Sequence, residues 1–179
     1  MKSSLFLVAV LVCGLVGAQP GGQPGGLPER VQKLEADNDV LTKSRVAFSA
    51  ALFNVDSNTW TTKGPVGADE TLKFEKVITN IGNGYDPATG IFTAPVTGLY
   101  YIRATGIAGP NGELQAGVKK NGENMFTIFH KAGTQSGASN GMAMVLQQGD
   151  RVFVQLWAGK SIADQGRLST FTGFLVFPI

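Results

Sequence analysis

The sequence predicts an all-β domain preceded by a short helical stalk. The chain has 179 residues, about one ordinary domain with a few dozen residues to spare. Its 24 glycines and 8 prolines favour many turns over long helices. From residue 45 onward, β-forming residues alternate with turn sequences such as Asn83-Gly84 and Asn121-Gly122, a pattern typical of short antiparallel strands. Together these features predict a sandwich or a jelly roll.

Residues 1–18 match a secretory signal peptide. Lys2 is followed by an apolar stretch, residues 5–16, and then by small residues that end at Ala18. This stretch is shorter than the roughly 20 residues that cross a membrane, so we expect cleavage after Ala18 and a secreted, extracellular protein without a membrane span. An uncleaved anchor is the alternative. The single cysteine, Cys13, lies inside this segment, so no thiol is expected after cleavage.

Residues 19–28 read QPGGQPGGLP and are predicted to form a flexible leader, since the glycine period is too short for a collagen helix. Residues 29–44 are predicted to form a helical stalk. Their core positions follow the 3-4-3 spacing of a short coiled coil: Val31, Leu34, Asn38 and Leu41. A helix this short needs partner chains to be stable, and a frayed amphipathic linker is the alternative.

The domain at 45–179 is predicted to contain eight to ten strands and no helix. We place strands at 45–53, 72–74, 91–93, 98–107, 113–120, 124–131, 141–146, 151–158 and 169–178. Many short strands without helices favour a sandwich or jelly roll.

Two of these strands are apolar on both faces. In 169–178, Phe174 and Val176 oppose an apolar set on the other face: Phe171, Leu175 and Phe177. In 151–158, Phe153 and Trp157 oppose a second such set: Val152, Val154 and Leu156. A two-layer sandwich buries one face of each strand, so the second face would be an exposed apolar patch unless subunits cover it. We therefore expect an oligomer, with a monomer that exposes these side chains as the alternative.

An aromatic spacing then points to a family. Intervals of six, five, seven, six and two residues connect one series: Phe74, Asn80, Tyr85, Phe92, Gly98 and Tyr100. With RVAFSA from 45, KNG from 120, QQGDRV from 147 and FTGFLVFP from 171, this spacing resembles the signature of the complement C1q globular-head family. Ile102 and Ala104 stand where that family usually has aromatics.

The resemblance covers about 45–179 and implies a ten-stranded jelly roll, shared with the tumour-necrosis-factor cytokines, that assembles as a homotrimer. Family members are mostly secreted recognition modules. This chain lacks the collagen stalk that many of them carry and the N-terminal cysteines that link cerebellin-like trimers. The expected trimer-interface residues are Val31, Leu34, Leu41, Phe92, Tyr100, Phe153, Trp157, Phe174 and Val176.

No catalytic or cofactor-binding site is predicted. Residues 137–141 match the GxSxG nucleophile motif, but a β segment follows where that motif requires a helix. The only histidine, His130, is expected to be a half-exposed strand residue. Calcium is the one ion considered, because Asp164 resembles an acidic position in the loop before the last strand of some relatives. A solvated loop aspartate is the alternative.

The charge pattern excludes nucleic acid as a partner. The net charge is +2, and no basic run is longer than the pair Lys119-Lys120. Four cations are candidates for binding a polyanionic or carbohydrate ligand, with simple solubilising charges as the alternative: Lys119, Lys120, Lys160 and Arg167.

The sequence therefore predicts a secreted, homotrimeric, non-enzymatic protein of innate immune pattern recognition, in which threefold avidity compensates for weak single contacts. An extracellular signalling or synaptic organiser ligand of the cerebellin-like or cytokine-like type, which binds a cell-surface receptor, is the alternative. A structural matrix protein and an enzyme are weaker alternatives.

Overall fold

The computed structural model describes residues 26–56, 58–109, 111–131, 133 and 136–179. The predicted signal peptide and residues 19–25 of the predicted leader lie outside this part of the chain. The chain divides into two compact units, 1–36 and 37–179. The helix and the β domain are described in turn.

Helix α1 spans Leu27–Lys43, which confirms a helix at the predicted stalk. It begins two residues earlier than predicted, so Leu27 and Pro28 belong to the helix and not to a flexible leader. Its first turn contains Pro28, whose fixed φ suits a helix start, and its last turn has an ion pair between Lys43 Nζ and Asp39 Oδ2 at 2.6 Å. None of its residues is buried: Leu34 is 66% exposed and Leu41 is 63% exposed. The apolar seam is therefore available to other chains, and the coiled coil stays a prediction.

Thirteen strands form two antiparallel sheets in the described residues. Sheet I contains β1 (Ala47–Ala51), β2 (Thr61–Lys63), β4 (Lys76–Ile81), β7 (Gly98–Ile107), β10 (Gly137–Leu146), β12 (Ile162–Asp164) and β13 (Thr170–Pro178). Sheet II contains β3 (Glu70–Thr71), β5 (Tyr85–Asp86), β6 (Ile91–Thr93), β8 (Leu114–Lys120), β9 (Glu123–His130) and β11 (Arg151–Leu156).

The strand order of sheet I is β2-β12-β7-β13-β1-β4, and β10 also pairs with β7. The strand order of sheet II is β5-β6-β11-β8-β9, and β3 pairs with β11. Most neighbours in each sheet are distant in sequence, so the chain crosses repeatedly between the two layers. This arrangement confirms the all-β jelly-roll sandwich.

Eight of the nine predicted strands are present with small shifts at their ends, and the strand predicted at 72–74 is wrong. There the chain passes from one sheet to the other. Leu72 N donates to Val154 O of β11 at 2.8 Å, whereas Glu75 N donates to Leu52 O beside β1 at 3.2 Å. Leu72 and Phe74 are fully buried, and so their apolar character reflects a core crossover and not a strand.

The core between the sheets explains the aromatic spacing in the sequence. Tyr85 Oη donates to Phe74 O and accepts from Phe74 N, both at 3.0 Å. Asn80 Nδ2 donates to Tyr85 O at 2.8 Å, and Tyr85 N donates to Asn80 Oδ1 at 3.1 Å. The Phe48 ring stacks on Tyr85 and on Phe92, with centroids 5.1 and 4.6 Å apart. Phe74, Asn80 and Tyr85, which belong to the spaced series in the sequence, therefore attach the crossover segment at 72–75 to the core.

Two of the expected trimer-interface residues belong to this core instead. Phe92 and Tyr100 are both 0% exposed in a single chain, and their rings pack against each other with centroids 5.8 Å apart. The hydroxyl of Tyr100 donates to Val96 O at 2.7 Å. A second subunit cannot cover side chains that one chain already buries, so the assignment of these two residues to an interface is wrong.

Candidate functional site

The outer face of sheet I, directed away from the core, is the candidate functional surface. Strand register places side chains of β1, β13, β7 and β10 in rows across it. The first row consists of Ala47, Phe174, Tyr101 and Ala143. The next row consists of Ser49, Thr172, Arg103 and Gly141. The face therefore changes from apolar to polar along the strands.

The apolar half of this face is centred on Phe174. Phe174 is 42% exposed, and the centroid of its ring lies 5.6 Å from that of Tyr101. A side chain at Gly141 would collide with the Tyr101 hydroxyl, so glycine leaves room for that ring. Val145 and Val176 are also about half exposed. The exposed apolar side chains make this half of the face a candidate subunit contact.

A bulge in β13 places Phe177 on the opposite side of the strand from the one that simple alternation predicts. Simple alternation places Phe177 on the same side as the buried Phe171. The register between β13 and β7 shifts between Leu175 and Phe177, and Phe177 is 51% exposed. The bulge therefore adds a second exposed aromatic beside Val176.

The polar half of the face is lined by hydroxyls and one guanidinium. Ser49 and Thr172 are joined by a hydrogen bond of 3.1 Å between their hydroxyls, and Thr105 and Thr170 by one of 2.7 Å. Arg103 is the single charged residue in β1, β7, β10 and β13. Sequence reasoning missed Arg103, although a lone charge in four strands without a carboxylate is visible in the sequence.

Phe153 and Trp157 do not share this face with Phe174. Phe153 lies on the outer side of sheet II, where β11 pairs it with Lys119 of β8 and Ile91 of β6. Trp157 follows β11 and packs over Gly117 of β8. Both are half-buried. The two doubly apolar strands belong to different sheets, so their outward side chains form two separate apolar surfaces.

Two of the four candidate ligand-binding cations are already ion-paired. Lys120 Nζ lies 3.1 Å from Asp150 Oδ2 and donates to Val145 O at 3.0 Å. Lys160 Nζ lies 2.9 Å from Glu113 Oε2. A hydrogen bond from Asn121, with smaller contributions that include Lys120, lowers the pKa of Asp150. Pairing reduces the capacity of these two lysines to attract an anionic ligand.

The other two candidates stand apart from each other. Lys119 lies on β8 of sheet II, and Arg167 lies in the loop before β13, where it has a positive φ of 63°. Neither forms an ion pair within the described ranges. The four cations are spread over three segments of the chain, and ligand binding by them stays a prediction.

Asp164 lies at the end of β12 and is only 6% exposed, which corrects the alternative of a solvated loop aspartate. Its Oδ1 accepts a hydrogen bond from Ser169 N at 3.1 Å, and Ser169 Oγ donates to Ala163 O at 2.6 Å. Asp164 thus closes the loop before β13. No group of three or more His, Cys, Asp or Glu side chains that could hold a metal occurs in the described segments. Calcium binding stays a prediction.

The GxSxG match at 137–141 lies at the start of β10, within a strand paired to β7, so it lacks the strand-turn-helix geometry of a nucleophile elbow.

His130 is the last residue of β9 and is half-buried, as predicted. Over the part of the chain that the structure describes, no helix has the length and hydropathy needed to cross a membrane.

Comparison with known proteins identifies relatives of the domain. The sequence model of the C1q domain family matches residues 47–176. The chain is 34% identical over 145 residues to a subunit of the human complement C1q subcomponent, a match that covers 78% of this chain and 53% of that protein. It is 32% identical over 136 residues to human complement C1q tumor necrosis factor-related protein 3, with 74% and 52% covered. The chain spans about half the length of these curated relatives.

Solved structures share the fold. The globular domain of zebrafish complement 1qA protein superimposes with a TM-score of 0.56 at 20% identity and covers 75% of this chain and 100% of that one. Murine APRIL superimposes with a TM-score of 0.56 at 14% identity and covers 74% and 99%. At these identities the likeness concerns the fold alone.

Proposed function

Because the chain belongs to the C1q domain family, we propose that it is a secreted, non-enzymatic recognition protein that acts as a homotrimer. The observation that carries the proposal is the apolar half of the outer face of sheet I. Phe174, Val176 and Phe177 are 42, 49 and 51% exposed there, beside Val145 at 46%. Secreted monomers seldom expose such a cluster of large apolar side chains, whereas subunit interfaces bury them.

Covering this surface makes a favourable contribution to assembly. Together with Tyr101 and Ile81, these side chains present about 400 Å² of apolar surface, if each aromatic has about 200 Å² in total. At about 25 cal/mol per Å², covering that area contributes about 10 kcal/mol per subunit before the costs of association. A standard interface buries about 800 Å² per partner, so contacts outside this apolar half must supply the rest of the buried surface.

A rotational trimer requires each subunit to present two different surfaces, because every contact joins one surface to a different surface of the next copy. The outer face of sheet I is the first surface. Phe129, 52% exposed on β9 at the edge of sheet II, marks a candidate for the second. The exposed Val31, Leu34 and Leu41 of α1 supply a further contact if three stalk helices associate.

Recognition of microbial or altered surfaces is the first role we assign. The similarity to a complement C1q subunit supports it, and three copies of a weak site on one particle provide avidity. A second candidate role is that of an extracellular signalling ligand for a receptor. The similarity to a C1q tumor necrosis factor-related protein favours this candidate.

One experiment separates assembly from role. Sedimentation velocity of the secreted protein should show a species of three chains that persists in reductant, because the single cysteine lies in the predicted signal peptide. A single-chain species at micromolar concentration contradicts the proposal. The same preparation is then tested for binding to bacteria and to cells that display surface receptors. Binding to bacteria alone supports recognition, whereas saturable binding to cells alone supports signalling.

A further inference from the structure

A cleft of about 420 Å³ lies at the polar end of the outer face of sheet I. Trp60, Ile107 and Leu168 supply its apolar walls, and Ser139 and Gln165 supply polar groups. The Trp60 side chain is held in place because its Nε1 donates to Thr62 Oγ1 at 3.1 Å, and the residue remains 37% exposed. The cleft has the size and the mixed lining of a site for a small organic molecule.

Arg103 does not itself line the cleft, but it is hydrogen-bonded to Ser139, which does. Its Nε and Nη2 both donate to Ser139 Oγ, at 3.0 and 2.9 Å. These two N–H groups form one edge of the planar guanidinium, so the edge formed by Nη1 and Nη2 keeps its own pair of donors. Within the described ranges no group accepts a hydrogen bond from that second edge, and no carboxylate forms an ion pair with Arg103.

Ser139 adds one more donor to the same place. Its oxygen accepts both hydrogen bonds from Arg103, and no residue that the structure describes accepts a bond from its hydroxyl proton. Arg103 and Ser139 together thus offer donors only. A set of donors without an acceptor is complementary to an oxyanion, and the second guanidinium edge matches the two oxygens of a carboxylate.

We infer that this cleft binds a hydroxylated ring that carries a carboxylate, the chemistry of a uronic acid. The carboxylate pairs with Arg103 and Ser139, and the apolar side of the ring packs on the Trp60 indole. Gln165 Nε2 donates to Asn58 O at 2.8 Å, which leaves Gln165 Oε1 to accept from a ring hydroxyl. The inference rests on the proposed function, because it names the ligand class of the recognition protein.

The cleft and the proposed subunit contact use different ends of the face. Thr105, which lines the cleft, is four residues beyond Tyr101 on β7, a separation of about 13 Å at about 3.3 Å per residue. A trimer that forms through the apolar half therefore does not need to fill the cleft. The positive charge of the exposed Arg103 favours an anionic ligand at this end of the face.

The test compares two probes that differ only in the carboxylate. Calorimetric titration of the full secreted chain with methyl β-D-glucuronide and with methyl β-D-glucoside should show about tenfold tighter binding of the glucuronide. Arg103→Gln should remove this preference and leave the glucoside unchanged. Arg151→Gln, an exposed arginine at the start of β11 in sheet II, is the matched control and should keep the preference.

Equal affinity for the two probes, no binding of either, or an unchanged preference in a folded Arg103→Gln variant would overturn the inference. Ser139→Ala provides a second variant that keeps every charge. It should weaken glucuronide binding several-fold, because Arg103 loses its anchor. Sedimentation of the same samples reports assembly independently. A monomer that still prefers the glucuronide refutes the trimer and leaves the cleft assignment intact.

Discussion

Replacement of Phe174 by Asp tests the subunit contact on the outer face of sheet I. Phe174 is 42% exposed in a single chain, which corresponds to about 80 Å² of a side chain of about 200 Å². At about 25 cal/mol per Å², its burial contributes about 2 kcal/mol per subunit, or about 6 kcal/mol for the trimer. The carboxylate adds a desolvation cost to this loss.

The expected result is dissociation over an accessible concentration range. A loss of about 6 kcal/mol in a three-chain equilibrium raises the concentration of half-assembly by about two hundredfold. Sedimentation velocity from about 0.1 to 100 µM covers this shift, and circular dichroism verifies that the variant is folded. Because Phe174 already contacts solvent, the fold of the single chain should survive the change.

Val55→Asp is the matched control for Phe174→Asp. Val55 is 48% exposed in the loop between β1 and β2, outside both sheets, so a charge there should leave the trimer intact. A folded Phe174→Asp variant that sediments like the wild type would refute the assignment of this face. Equal dissociation of both variants would show that added charge, and not the position, controls assembly.

Three further predictions concern the core. Burial raises the pKa of Tyr85 from 10.0 to about 12, so the contribution of its protonated hydroxyl to stability is complete below pH 10. Between about pH 10 and 12 the free energy of unfolding should fall by about 2–3 kcal/mol, which urea unfolding measures. Tyr85→Phe should remove this pH dependence. Gly173→Ala should cost about 1–3 kcal/mol in urea unfolding, because a Cβ there would lie 2.6 Å from atoms of Phe48 and Ile102, and an unchanged midpoint would contradict this packing. Asp164→Ala should lower the free energy of unfolding by about 1–3 kcal/mol, because it leaves the buried Ser169 N–H unpaired. Asp164→Asn keeps an acceptor and should lower it less. Equal losses in the two variants would argue against that hydrogen bond.

Much of the fold could be predicted because its long strands have strong local patterns. The strand at 98–107 is predicted with its observed bounds, since alternation over ten residues between turn sequences has no competing interpretation. The segment at 72–74 could not be predicted correctly, because burial in a crossover produces the same apolar run as a strand. Short strands such as β12 depend on partners distant in sequence and have no local signal of their own.

The candidate site was less predictable than the fold. Alternation identified Phe174 and Val176 as facing away from the core, but it could not tell that Phe153 lies on the other sheet. Phe92 and Tyr100 were misassigned because the sequence pattern of an aromatic residue in a strand is the same whether its side chain packs in the core of its own chain or against another subunit. The pairing of Arg103 with Ser139 joins residues 36 positions apart and is determined by the β7–β10 register.

The position of β13 also constrains how the domain is made. This strand lies between β1 and β7, and it joins the earliest part of sheet I to the middle of the chain. A nascent chain cannot complete sheet I until residues 170–178 have left the ribosome. Until then β1 and β7 lack the strand that lies between them. Sheet I is therefore expected to form late in the folding of the domain, after the strand that joins its two halves becomes available.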